Sequence, residues 1–319
     1  MVKWLVVGIG DITRKRVLPA IQAEPRSELY GLLTRDPSKA TPYAGVRVFT
    51  TLEEALNDSA IDAVYVASPV ALHAPQTIAS LRAGKHVLGE KPSALNYPEA
   101  ESMLVAAHAS ERLWGIAYYR RLYPKLLRTR QLIAEGAIGT PVLAEVSNHS
   151  WLPIQERNWL WDPAMSGGGP LFDIASHRLD ALHFLFGRPT AVAGMLSNAV
   201  HQVPVEDSAT VLLNFAGGIR GVVDVRWNSH IERDQFRVIG TDGEIDLSPL
   251  NGPTLRCSTG EKSFEESLPA HANLHFPAVE NFVTAMLEGA PLMCPGEEAI
   301  WTDWVTEEVM RQSKTANVF

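Results

Sequence analysis

Three residues of this chain have the types and spacing to move a proton and steady a developing charge. In MSGGGPLFDIASHRLDALHFLFG, Asp173 precedes His177 by four residues and Asp180 follows one turn later. Residues four apart share a helix face. A carboxylate beside an imidazole orients it and favours its protonated form. Such a pair suits general acid–base catalysis, worth about 10² to 10⁴ in rate. The same spacing serves a plain helical ion pair. It can also start a metal site, but no third ligand cluster accompanies it, so no metal is expected. The third residue is Lys91 in AGKHVLGEKP. It follows Glu90, is fixed by Pro92, and falls at a strand end, where parallel sheets bind ligands. An ammonium there can meet a reacting oxygen; a solvated lysine is the alternative.

A hydride carrier has a candidate site at the start of the chain. In WLVVGIGDITRKRVLP an apolar run ends in Gly8 and Gly10 and enters a helix, with Thr13 where a third glycine would complete G-x-G-x-x-G. The first glycine permits the tight turn and the second lets the backbone approach a pyrophosphate. The third would let helix and strand pack closely. Thr13 weakens that last fit without blocking phosphate, which sits on free amides at the helix start, here Asp11, Ile12 and Thr13. Arg14, Lys15 and Arg16 oppose the helix dipole, a penalty that a bound pyrophosphate reverses. The second strand ends LLTRDPSKA. Thr34 and Arg35 stand where a ribose-binding carboxylate would mark NAD, and Asp36 comes one residue late. A hydroxyl and a guanidinium suit a 2′-phosphate, so NADP is expected over NAD.

The elements that must position these groups are legible from periodicity. Trp4–Val7, Leu29–Leu33, IDAVYVAS, KHVLGEKP and LWGIAY read as strands. They alternate with helices in VLPAIQAE, TLEEALND (capped by Thr51, with Glu54 three residues on), APQTIASLRAG and YPEAESMLVAAHAS. That alternation implies βαβ units and a parallel sheet. Later the pattern becomes period two. Ala209, Val211, Leu213 and Phe215 share one face; Ile219, Val223, Val225 and Trp227 share another across Gly217-Gly218, a hairpin signal. FRVIGTDGEIDL repeats the device at Asp242-Gly243, and two helical segments close the chain. The expected division is a dinucleotide-binding domain over 1–120 and an α+β domain over 121–319.

Composition sets limits. The net charge is −8 with no long basic or acidic block, which argues against nucleic acid or anionic membrane as partner. Cys257 and Cys294 lie far apart without C-x-x-C spacing. A reducing compartment fits. MVKWLVVGIG is too short to span a bilayer and lacks a cleavage site, so a cytoplasmic protein is expected.

GIGDIT, ASPVALHAPQTIASLRAGKHVLGEKP and SGGGPLFDIASHRLD together resemble the glucose-fructose oxidoreductase, inositol dehydrogenase and rhizopine catabolism (Gfo/Idh/MocA) family over essentially the whole chain. The resemblance implies an N-terminal Rossmann domain and a C-terminal domain with a large, open, mainly antiparallel sheet. It implies NAD(P)-dependent oxidation or reduction of sugars, polyols or related carbonyl compounds. Lys91, Asp173 and His177 match the family's lysine, aspartate and histidine. Ser68, Pro69, His73 and Glu90 fall in matching coenzyme-site stretches, with His73 read in the first place as a structural histidine closing the loop after the strand. Val70 departs from a position where a polar residue is common. The mechanism expected is that His177 takes the hydroxyl proton, Lys91 steadies the alkoxide, and Asp173 holds His177, all at one nicotinamide ring.

NHSWLPIQERNWLWD holds Trp151, Trp159 and Trp161, with Asn148, His149, Glu156, Arg157 and Asn158 as possible hydroxyl partners. These, with Tyr119 and Arg120, suit a polyhydroxylated substrate; aromatic packing is the alternative. The mixed face of Thr210, Leu212, Val222, Asp224 and Arg226 suggests a homodimer or homotetramer, which the resemblance supports. A non-catalytic NADP-binding sensor, and transient redox in glycoside cleavage or epimerisation, stay open as alternatives.

Overall fold

The alternating apolar runs of the first 120 residues form one parallel sheet. The structure, a computed structural model, describes residues 1–155, 158–260 and 262–315. Strands β1 (Val2–Val7), β2 (Ser27–Leu33), β3 (Arg47–Phe49), β4 (Ala63–Val66), β5 (His86–Gly89) and β6 (Trp114–Ile116) are arranged β3-β2-β1-β4-β5-β6. This is the strand order of doubly wound dinucleotide-binding sheets. Apolar residues run continuously because both faces are covered: Leu5 and Val7 belong to one core cluster, Trp4 and Val6 to another. The Thr51 hydroxyl accepts from the Glu54 amide at 3.3 Å and starts the helix Leu52–Leu56. β3, three residues at the sheet edge, has too short an apolar run to read from sequence.

The chain divides into two compact units. The first is Met1–Tyr119 with His271–Ile300; the second is Arg120–Ala270 with the residues from Trp301 on. Periodicity placed 121–319 in one domain, whereas His271–Ile300 packs with the first. The reason is the apolar stripe of the helix Phe276–Glu288. Val279, Phe282 and Val283 are buried among Trp4 and Tyr65, with Phe282 and Trp4 ring centroids 5.6 Å apart. Arg26 fastens the helix end through Glu288 at 2.6 Å and Thr284 at 2.9 Å.

The second unit is built on an eight-stranded sheet. Its strands are β7 (Pro141–Trp151), β8 (Pro189–Ser197), β9 (Ser208–Phe215), β10 (Arg220–Arg226), β11 (Asn228–Gly240), β12 (Gly243–Asp246), β13 (Thr254–Thr259) and β14 (Ser263–Ser267). They are ordered β14-β13-β12-β11-β7-β10-β9-β8. All pairings are antiparallel except β10 with β7. The hairpin at Gly217-Gly218 joins β9 and β10 as the alternation requires, and both glycines have positive φ. Ala209, Val211, Leu213, Phe215, Val223 and Val225 are buried on one face. The helix Ser176–Phe186 packs there: a Cβ on Gly221 would lie 3.4 Å from the Leu182 side chain.

Candidate active site

The first strand turns at Gly8, whose φ is +91° and whose added Cβ would lie 2.8 Å from the Ala67 carbonyl oxygen. Only glycine fits there. A Cβ on Gly10 would meet nothing within 4 Å, so the turn leaves open space beside the backbone. The helix that follows begins with a π-helical turn, Thr13–Val17, and continues as Leu18–Ala23. Its leading amides are those a helix leaves without acceptors. Thr13 is fully buried and donates its hydroxyl to the Gly8 carbonyl at 2.9 Å. The residue that broke the glycine pattern thus ties the helix to the turn. These residues fit a pyrophosphate: a tight turn, space, and a helix start. Arg14 and Lys15 both bond Asp11, at 2.6 and 3.5 Å, and Arg14 first holds the Asp11 carboxyl below its usual pKa. Ile12 is exposed.

At the end of β2, Thr34 is buried and its hydroxyl is engaged with the backbone of Asp36. The Asp36 carboxylate is turned inward on its own loop, accepting from the amide of Ser38 at 3.1 Å and its hydroxyl at 2.6 Å. The Ser38 hydroxyl bond leads the causes that hold this carboxyl below its ordinary pKa. Arg35 stands exposed between them. Both Ser38 bonds fall on Asp36 Oδ1, and the Arg35 guanidinium is solvent-facing.

The E-K-P turn is braced from three sides. His73 is buried, with Nδ1 2.9 Å from the Pro92 carbonyl and Nε2 2.8 Å from the Ser68 carbonyl. It binds the loop after β4 to the turn after β5. Burial lowers its pKa, against those two carbonyls. Ser68 donates to Gln76 at 2.6 Å, Pro69 begins the short turn Val70–Leu72, and Val70 is buried. Glu90 accepts from the Tyr65 hydroxyl at 2.9 Å and lies 3.0 Å from His275 Nε2. Burial pushes the Glu90 carboxyl up, but His275, Tyr65 and Lys91 together outweigh it and its pKa falls. Tyr119 packs its ring on His275, centroids 4.7 Å apart. Lys91 is half-buried. The sequence reading missed His275; its only signal was a histidine immediately before an apolar helix.

In the second unit Gly167–Gly169 leads into a π-helical turn, Leu171–Ala175, continuous with the helix Ser176–Phe186. Asp173 lies in the first part, half-buried; His177 lies in the second, only 7% exposed. Asp180 pairs bidentately with Arg121 at 2.8 to 3.0 Å, both side chains fully buried. Arg120 is buried and donates to Asn251 at 3.0 Å. Trp161 is buried edge-on against Trp227, centroids 5.2 Å apart, whereas Trp159 and Trp151 are exposed. Trp151 stacks on His230 at 4.0 Å, and His149 bonds Asp224 at 2.8 Å. Glu156, Arg157 and the side chain of Asn158 lie outside the described residues. Among the described residues no three His, Cys, Asp or Glu side chains gather to hold a metal. Nor is any described helix long and apolar enough to cross a membrane.

Comparison with known proteins agrees with this architecture. Residues 2–118 match the model of an oxidoreductase family with an NAD-binding Rossmann fold, and residues 126–246 match the Gfo/Idh/MocA C-terminal domain. A 1,5-anhydro-D-fructose reductase of Ensifer adhaerens is 31% identical over 315 residues, 95% of this chain and 93% of that protein. An NADP(+) D-xylose 1-dehydrogenase of Haloarcula marismortui is 31% identical over 269 residues, 79% and 73% of the two chains. The structure of an aldose-aldose oxidoreductase from Caulobacter crescentus has the same fold, with TM-score 0.90 at 24% identity over 99% of this chain and 98% of that one. The chain belongs to the Gfo/Idh/MocA family of oxidoreductases. Its first unit is the family's NAD(P)-binding domain.

Proposed function

We propose that this chain transfers a hydride between NADP and a sugar, polyol or related carbonyl compound, with Lys91, Asp173 and His177 serving that one reaction. The observation that carries the reading is the coenzyme loop: Gly8 makes a tight turn and Gly10 leaves open space beside the backbone at a helix start, in a sheet of dinucleotide-binding order. The relatives named for sugar substrates support the substrate class. Arg35, exposed just after β2 where a ribose-binding carboxylate would mark NAD, supports NADP over NAD.

When bound, the coenzyme supplies the hydride acceptor or donor. In the oxidation direction His177 takes the substrate hydroxyl proton, and in reduction it returns one to the same oxygen. The Lys91 ammonium donates to that oxygen as negative charge develops there, the electrostatic contribution usually largest in such steps. Asp173 holds the imidazole and steadies its protonated form. Asp11, Ile12 and Thr13 offer amides to the pyrophosphate, while Ser68, Pro69, His73 and Glu90 shape the coenzyme's surroundings. Tyr119, Arg120 and Trp159 are assigned to the substrate.

The test is a panel of 1,5-anhydro-D-fructose, D-xylose and scyllo-inositol with each coenzyme in both directions, following NADPH absorbance. Absorbance change equimolar with product supports net hydride transfer. Product without net absorbance change would favour transient redox instead.

We further propose a homodimer or homotetramer in the cytoplasm, assembled through the open face of the second sheet. Register aligns Ala193, Leu212 and Val222 in one row and Met195, Thr210 and Asp224 in the next, with Met195 and Leu212 exposed. Sedimentation of Leu212→Asp as a monomer, beside an associated parent chain, is the expected outcome.

A further inference from the structure

Glu206, one residue ahead of the Asp207 that leads into β9, is only 2% exposed, and nothing in the proposed chemistry uses it. Its Oε1 accepts from the Leu171 amide at 2.9 Å. The amides of Gly169 and of Glu206 itself lie near enough to favour the ionised carboxyl. The fit around it is close. A Cβ on Gly169 would lie 2.0 Å from the Glu206 carbonyl oxygen, and one on Gly168 would lie 3.1 Å from its Oε2. Gly169 is therefore needed for approach to Glu206, while a Cβ on Gly168 would meet the Phe172 ring first, at 2.4 Å.

Asp173 and His177 hang from this point, since the Asp173 amide bonds Gly169 and the helix runs on from Leu171. We propose that Glu206 is a positioning residue, clamping the Gly167–Gly169 turn onto the first turn of the helix that carries Asp173 and His177. The proposal rests on the catalytic reading of those two side chains, but the clamp itself can be tested without it.

Burial raises the Glu206 carboxyl to about 7, the nearby amides resist that rise, and Asp207 adds to it. Asp207 is the charged neighbour that acts on it, and is itself held by the amides of Val200 and His201 and by Asn228. Glutamine keeps an acceptor for the Leu171 amide; alanine removes the clamp.

Hydrogen exchange of the Gly169, Leu171, Phe172 and Asp173 amides at pH 5.5 and 7.5, corrected for intrinsic rates, tests this on the whole chain. In Glu206→Gln, which keeps that acceptor, protection stays near that of the parent. In Glu206→Ala, protection is lost at both pH values, kcat with NADPH and 1,5-anhydro-D-fructose falls at least tenfold, and the KM for NADPH is unchanged. Glu206→Gln restores kcat. An alanine variant with parental protection would overturn the clamp altogether. Loss of protection in the alanine variant with unchanged kcat would overturn the positioning role. If the parent turns over no sugar, the hydride-transfer reading fails, while the exchange profiles still decide the clamp.

Discussion

The Thr13 hydroxyl donates to the carbonyl oxygen of Gly8 across the turn where a nucleotide loop would normally place a third glycine. The substitution keeps helix and strand together by a hydrogen bond where the usual loop relies on bare proximity. Thr13→Val removes the donor at similar volume and takes this bond from the part-buried Gly8 carbonyl. It is expected to lose about 0.5–1.5 kcal/mol of stability in urea denaturation. Weaker NADPH binding in a fluorescence titration accompanies that loss, because the turn is no longer fixed.

Coenzyme choice is predicted at Arg35. Removing a charged hydrogen-bond partner of a phosphate costs about 1.5–3 kcal/mol, so Arg35→Ala raises the NADPH dissociation constant about tenfold to 100-fold and leaves NADH nearly unchanged. Equal weakening of both coenzymes would place the guanidinium on the adenine instead.

Asp180 separates structure from catalysis. It sits one turn after His177, yet its partner is the fully buried Arg121. Asp180→Asn takes the carboxylate charge from that buried guanidinium and is expected to cost about 3–5 kcal/mol. Where the variant remains folded, its kcat stays near that of the parent, and calorimetry with steady-state kinetics on one preparation checks both.

Glu206 predicts a pH trend in global stability. Its carboxyl is raised from an ordinary 4.5 to about 7 in the folded chain. Between these values the folded state holds the extra proton. Its contribution to stability is full below pH 4.5 and is lost as pH rises through 7, on the order of 3 kcal/mol in all. Glu206→Gln removes this trend. Denaturant midpoints of parent and variant should therefore diverge as pH rises, with the variant more stable above pH 7.

The division of the chain into parallel and antiparallel sheets was legible because both depend on apolar periodicity, which Trp4–Val7 and Ala209–Phe215 display plainly. The return of His271–Ile300 to the first unit was not, since an apolar helix face does not name its partner; Trp4 does so only in three dimensions. Within the site, glycines and the Asp173–His177 spacing stood out as local patterns. Glu206 and His275 did not, because each acts on residues far away in sequence, Leu171 and Glu90. Asp180 shows the converse, a correct helical spacing whose side chain is claimed by a distant arginine.

The most direct test of the account is His177→Ala, with Lys91→Ala beside it, assayed for NADPH-dependent turnover and for NADPH binding on the same samples. The account predicts that kcat falls about 10² to 10⁴ in the histidine variant while the NADPH dissociation constant is unchanged. Parental turnover by His177→Ala would contradict it.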